Sequence, residues 1–248
     1  MSTRKDELAE NLAAVRERIS AACRAAGRDV NEITLIAVTK TFPASDIRLL
    51  SELGVTDIAE NRDQEAAPKA TASTDLPLTW HFVGRLQTNK VRSVAAYADV
   101  VHSVDRSRLI TALSAAAVRA ERTLRCLIQV SLDAAPGDPT DAAADHASSE
   151  RAWRGGALFP EVPGLADAIA GAERLELGGV MAVAPLGADP APAFARLAEM
   201  AAAVRTAHPG ATIMSAGMSG DLEQAIACGA THVRVGTALL GGRQAIVR

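Results

Sequence analysis

The stretch Ile33-Thr34-Leu35-Ile36-Ala37-Val38-Thr39-Lys40 decides how this chain is read. Its apolar residues run on without strict alternation, as expected of a parallel strand covered on both faces. A lysine closes the run just where a buried strand should end. It lifts its amine out of a hydrophobic sheet into whatever site lies above the strand ends. An ammonium there is poorly solvated, the neutral amine is favoured, and neutral amines attack carbonyls. The plainer reading makes Lys40 the first solvated residue after a strand, which is the common fate of a lysine. The rest of the chain decides between the two.

The same kind of run recurs. Strands are expected at 33–38, 56–59, 79–83, 99–103, 124–131, 177–183, 211–214 and 231–235. Helical spacing lies between them at 44–53, 62–70, 86–97, 106–121, 161–171, 190–207 and 220–228. Ahead of all of these, Leu8, Leu12, Val15, Ile19 and Cys23 recur at helical spacing, and Gly27 supplies a stop. Eight strands alternating with helices, after a leading helix, predict an α/β fold of the (β/α)8 TIM-barrel kind; an open doubly wound sheet is the competing arrangement. The chain has 248 residues, a typical length for one such barrel, and a single domain is expected over 1–248. One irregular stretch, 133–156, is rich in Ala, Asp, Ser, Pro and Gly without a sustained apolar face, and reads as a mobile loop above the fifth strand.

Composition narrows the function classes. Hydrophobic residues make up 48% of the chain but aromatics only 3%, so the core must be aliphatic and alanine-rich. The formal net charge is −3 with both signs interspersed, and no basic block supports nucleic-acid binding. The amino terminus is charged at once and lacks a signal-peptide core, and no run approaches a membrane span. Cys23, Cys126 and Cys228 have neither disulfide nor metal-ligand spacing. A cytoplasmic protein is expected. There is no phosphate-loop lysine motif, no clustered His/Cys set for a metal, and no nucleophile-elbow serine.

Barrel enzymes carry their chemistry at the carboxyl ends of the strands, which turns the strand list into a site list. Strand one delivers Lys40, strand two Glu60-Asn61, strand three Trp80-His81-Phe82-Val83-Gly84, and strand four His102-Ser103. Strand seven leads into Ser215-Ala216-Gly217-Met218-Ser219-Gly220-Asp221, and strand eight ends in Arg234-Val235-Gly236-Thr237. Loops after the last two strands commonly form the phosphate site of such barrels. Gly236 and Thr237 are expected to hold a phosphate most firmly, with Ser219 adding a hydroxyl. Ordinary helix capping by Ser219 is the competing account, and Asp221 and Glu223 would repel an anion placed too near. A reactive lysine facing a phosphate pocket describes a pyridoxal phosphate site. Arg234 would then face the pyridine nitrogen and keep it unprotonated, or else form an ion pair with Glu60 inside the barrel mouth. His81 reads as a hydrogen-bonded core histidine.

With these residues in view the chain resembles the pyridoxal phosphate homeostasis protein family, single-barrel proteins related to the alanine racemase N-terminal domain. The resemblance rests on Ala37-Val38-Thr39-Lys40; Glu60-Asn61 with Gln64-Glu65; Trp80-His81-Phe82-Val83-Gly84 with Leu86-Gln87 and Asn89-Lys90; Ser215 with Gly217-Met218-Ser219 and Asp221; and Val233-Arg234-Val235-Gly236-Thr237. It implies that Lys40 carries the cofactor as a Schiff base, that Asn61 lies near the ring, that Arg234 faces the pyridine nitrogen, and that Ser219, Gly236 and Thr237 hold the phosphate. It implies a carrier or buffer role in cofactor homeostasis, with pyridoxal phosphate-dependent apoenzymes as acceptors and a monomer as the expected state. Ala59 and Arg62 depart from the glycine and aromatic that usually flank the Glu-Asn pair.

Two other function classes compete. A racemase or other pyridoxal phosphate enzyme needs acid–base groups on both faces of a planar intermediate. Lys40 serves one face, but the second is supplied in racemases by a tyrosine from another domain. Tyr97 is the sole tyrosine here, and it falls in the helix after strand three. The sequence ends at Arg248, directly after the last strand's motif, so no such domain is expected. The third class is a phosphate-binding barrel without a Schiff base.

Overall fold

The protein is described by a computed structural model over residues 3–132 and 155–242. Helix α1 (Arg4–Ala26) starts at a capping box: the Thr3 hydroxyl accepts from the Asp6 N–H, and the Asp6 carboxylate accepts from the Thr3 N–H. It stops at Gly27, whose φ of 65° suits a residue without Cβ. Its buried face is Leu8, Leu12, Val15, Ile19, Ala22 and Cys23.

Strands and helices then alternate: β1 (Thr34–Val38), α2 (Ala44–Glu52), β2 (Asp57–Glu60), α3 (Asp63–Thr71), β3 (Thr79–Phe82), α4 (Val91–Tyr97), β4 (Val100–Val104), α5 (Ser107–Arg119) and β5 (Leu124–Gln129). They continue as α6 (Val162–Ala170), β6 (Leu175–Met181), α7 (Pro190–Ala207), β7 (Ile213–Ser215), α8 (Leu222–Ala227), β8 (His232–Val235) and α9 (Thr237–Leu240). The strands close into a parallel barrel in sequence order, with β1 paired to β8 from Thr34↔His232 to Ala37↔Val235. Closure excludes the open sheet. The fold is an α/β TIM barrel with a leading helix.

Differences from the sequence reading are local. The helix expected over 86–97 is a 3-10 turn, Thr88–Lys90, followed by the short α4. Upstream the chain runs close to β2: a Cβ on Gly84 would overlap the Asn61 carbonyl, so this crossing tolerates only glycine. Residues 133–154 of the irregular stretch lie outside the described residues.

Alternation along each strand separates two environments. Ala37, Ile58, Trp80, Val101, Cys126, Ile128, Val180, Met214, Val233 and Val235 face outward into two buried clusters beneath the helices. Inside the barrel Val100, Leu127, Met181 and Ile213 form a small apolar cluster of their own. Buried polar side chains occupy other inner positions: His81, His102, Ser215 and Arg234.

Candidate active site

Lys40 is half-buried in the turn directly after β1. Among the described residues no carboxylate pairs with its amine. The next residue, Thr41, has φ 69°, a left-handed conformation unusual for a β-branched side chain. Its N–H donates to the Glu65 carboxylate at 2.9 Å, and the Phe42 N–H donates to the Thr39 carbonyl at 3.1 Å. These bonds hold a strained turn beside the lysine, a pattern common at functional sites. Nothing in the composition of a Thr-Lys-Thr step signals it.

Strand pairing places the end of β8 beside Lys40. Ala37 is level with Val235, so Val38 stands opposite Gly236, and a Cβ on Gly236 would lie 3.3 Å from the Val38 carbonyl oxygen. Thr237, exposed, begins α9 immediately after. The loop after β7 joins them: the Ser219 hydroxyl accepts from the Ala238 N–H at 3.3 Å. Ser219 is therefore not the cap of α8. That position falls to Asp221, and Asp221 instead accepts from the Met218 N–H at 2.6 Å. The acids that seemed to threaten an anion here are engaged elsewhere. Glu223 is held by Arg18 of α1 at 2.7 Å, and Arg18 also donates to the Ser219 carbonyl at 3.0 Å. Asn61, half-buried, follows β2, whose Ala59 pairs with Val38. Lys40, Asn61, Ser219, Gly236 and Thr237 thus stand on four contiguous strand ends, those of β2, β1, β8 and β7.

Arg234 lies inside the barrel, two residues below Gly236. The ion pair with Glu60 considered from sequence does not form. Glu60 is on the opposite face of its strand, where it accepts from Lys69 at 2.6 Å and from the Thr39 hydroxyl at 2.7 Å. Arg234 instead donates to the Ser215 hydroxyl at 2.7 Å and to the Ala182 carbonyl at 2.9 Å. Burial lowers its pKa to about 10, so the guanidinium remains charged at neutral pH.

His81 is a hydrogen-bonded core residue, as expected, but it is not alone. One ring nitrogen meets the Asp57 carboxylate at 3.0 Å and the other meets His102 at 2.9 Å. His102 in turn contacts the Ser215 hydroxyl at 3.1 Å. Burial, then the neighbouring His81 and Arg234, push the His102 pKa well below the usual imidazole value. For Asp57 burial opposes ionisation, but hydrogen bonds from His81 and Thr56 outweigh it and lower the pKa. Histidines on the neighbouring strands β3 and β4 were visible in the sequence; their mutual contact was not.

Tyr97 packs edge-to-face on Trp80, with ring centroids 6.3 Å apart, and Trp80 belongs to the outer cluster under the helices. Its hydroxyl is buried, and burial raises its pKa. No described group of three or more metal-type side chains converges.

A closed parallel barrel with a lysine after β1 and glycine-containing turns after β7 and β8 defines the class: a barrel of the alanine racemase, N-terminal domain type, which this chain matches over residues 6–244. The pyridoxal phosphate homeostasis protein of Mycobacterium tuberculosis is 44% identical over 262 residues, covering 97% of this chain and 95% of its own. That of Escherichia coli K12 is 37% identical over 244 residues, covering 96% and 97%. PipY of Synechococcus elongatus PCC7942, solved with PLP bound, superposes with a TM-score of 0.73 at 34% identity, covering 94% of this chain and 100% of PipY. The chain belongs to the pyridoxal phosphate homeostasis protein family.

Proposed function

We propose that this protein binds pyridoxal 5′-phosphate in the barrel mouth and takes part in its intracellular homeostasis as a cytoplasmic carrier or buffer. The observation that carries the reading is the apposition of Lys40, with no carboxylate partner among the described residues, to the Gly236 backbone across the β1–β8 seam. The residues suit the group. Ser219, Gly236 and Thr237 bring a hydroxyl and closely approachable backbone to one spot, as a phosphate requires. Arg234 offers a fixed cation that can only donate. Asn61 flanks the lysine from β2.

When bound, the cofactor supplies an aldehyde. Lys40 would be the residue to hold it covalently, as a Schiff base formed with loss of water and reversed by water. Arg234, which can only donate, would keep the ring nitrogen of a bound cofactor unprotonated, which would weaken the ring as an electron sink and favour holding over turnover. Tyr97, buried against Trp80 outside the barrel, is not available as a second acid–base group at the mouth. Release to apoenzymes that need the cofactor completes the reading, with one barrel per functional unit and residues 1–248 acting as one domain.

Incubation with pyridoxal 5′-phosphate should turn the protein yellow, and borohydride followed by peptide mapping should find the label on Lys40. Lys40→Ala should abolish the covalent label. An unchanged imine absorbance in that variant would remove Lys40 from the role. Turnover of free amino acids that is lost in Lys40→Ala would instead establish an enzyme.

A further inference from the structure

The barrel interior holds a connected row of polar side chains that cofactor binding does not by itself require. From the mouth downward it runs Arg234, Ser215, His102, His81, Asp57, with successive contacts of 2.7, 3.1, 2.9 and 3.0 Å. Arg234, Ser215, His102 and His81 are buried, while the Asp57 side chain at the far end is 21% exposed. No described carboxylate touches Arg234, although an unpaired buried cation is costly.

The ends fix the direction of the outer hydrogens. Arg234 can only donate, so the Ser215 oxygen accepts from it. An ionised Asp57 can only accept, so His81 carries a proton on Nε2. Two arrangements of the middle remain. If His102 donates from Nε2 to Nδ1 of His81, its own Nδ1 accepts from the Ser215 hydroxyl, and each contact has one donor and one acceptor. If His81 donates instead, it is a cation and His102 must donate from Nδ1 to Ser215. The Ser215 oxygen then accepts twice, and its own proton points at none of these partners. Only the first arrangement satisfies the whole row with both rings neutral.

We propose that Ser215, His102 and His81 are positioning residues, forming a one-way hydrogen-bond chain that holds the Arg234 guanidinium toward the ring nitrogen of the bound cofactor and links its charge to the Asp57 carboxylate at the opposite end of the barrel. The ring-nitrogen half rests on the proposed function; the chain itself does not. Asp57 is the carboxylate reached through the hydrogen bonds, Asp221 of the loop after β7 acts on the guanidinium through space, and no described carboxylate contacts it.

Nitrogen-15 NMR of the histidine side chains in cofactor-free protein at pH 7 reads the chain directly. His81 and His102, assigned by His→Gln variants, should both be neutral Nε2–H tautomers. A His102 in the Nδ1–H form, or a cationic His81, overturns the proposal. Cofactor titration then reads the positioning role. His102→Leu should weaken pyridoxal 5′-phosphate about tenfold, the loss expected for one charge-linked hydrogen bond. His102→Gln, which keeps a donor and an acceptor, should recover most of it. Equal losses in both variants, or none in either, would overturn the role. Should His102→Leu not fold, Ser215→Ala tests the same link. Wild-type protein that never binds the cofactor would defeat the proposed function and the ring-nitrogen role together, whereas wrong tautomers in a protein that binds normally would defeat the chain alone.

Discussion

Two buried charged clusters lie on opposite faces of the barrel wall, and they treat charge differently. On the outer face Glu60 is held by Lys69 of α3 at 2.6 Å and by the Thr39 hydroxyl, and Lys69 also donates to the Thr39 carbonyl at 2.9 Å. Plus and minus are in contact, and nothing is left over for a ligand except one Glu60 oxygen without a partner among the described residues. On the inner face Arg234 has only a hydroxyl and a carbonyl, and the nearest carboxylate in its chain stands four hydrogen bonds away. A self-neutralised pair holds β1, β2 and α3 together. A cation without a contacting carboxylate is a stored attraction for something that enters later.

Breaking the outer pair should produce the largest structural effect. Lys69→Met leaves the fully buried Glu60 carboxylate with only the Thr39 hydroxyl and should cost about 3 kcal/mol in chemical denaturation, while cofactor affinity stays the same. A loss of affinity there would show that the two faces are not independent.

The inner face should dominate the acid response. His232 of β8 has its pKa lowered to about 4, first by burial and then by neighbouring His81, and His102 is lowered in the same sense. Between that value and the ordinary imidazole value of about 6.5 the unfolded chain binds protons that the folded chain refuses, so stability rises with pH through this window. It is fully present above about 6.5 and is lost as the pH falls toward 4. His232 alone contributes roughly 3 kcal/mol at most, from about 1.4 kcal/mol per pKa unit. Thermal unfolding followed from pH 7 to 4.5 should show this decline, and His232→Asn should flatten it. A wild-type profile level across that range would remove the inner histidines as the cause.

Arg234→Met should change folding stability by only about 1 kcal/mol, because the lost hydrogen bonds are offset by removal of a buried cation. Its cofactor affinity should nonetheless fall by tenfold or more. A variant that unfolds yet binds normally when folded would invert the comparison. At the small end, Lys5→Ala removes a pair with Glu52 in which both side chains are about half exposed, and should shift stability by less than about 0.5 kcal/mol.

Much of this was legible beforehand. The expected strands fall within about two residues of the observed ones at nearly every boundary, since continuous apolar runs closed by helical spacing report burial on two faces. Lys40 and Gly236-Thr237 were legible as strand-end residues for the same reason. The partners of Arg234 and Glu60 were not. Both are charged residues near strand ends, and pairing them is reasonable until strand parity is known. Only the register shows that one points to the axis and the other to α3. Helix capping by Ser219, the competing account, does not form, and local capping rules cannot foresee an N–H arriving from α9. The left-handed turn at Thr41 is set by Glu65 from another βα unit.

By itself the order of residues determined eight strands, their alternation with helices and the lysine at the end of the first, because periodicity and burial are local properties of a chain. Which inward side chains touch was decided only when β8 closed on β1. Closure brings residues 57, 81, 102, 215 and 234 into a single row across the axis, and no spacing along the sequence encodes contacts that arise from curvature.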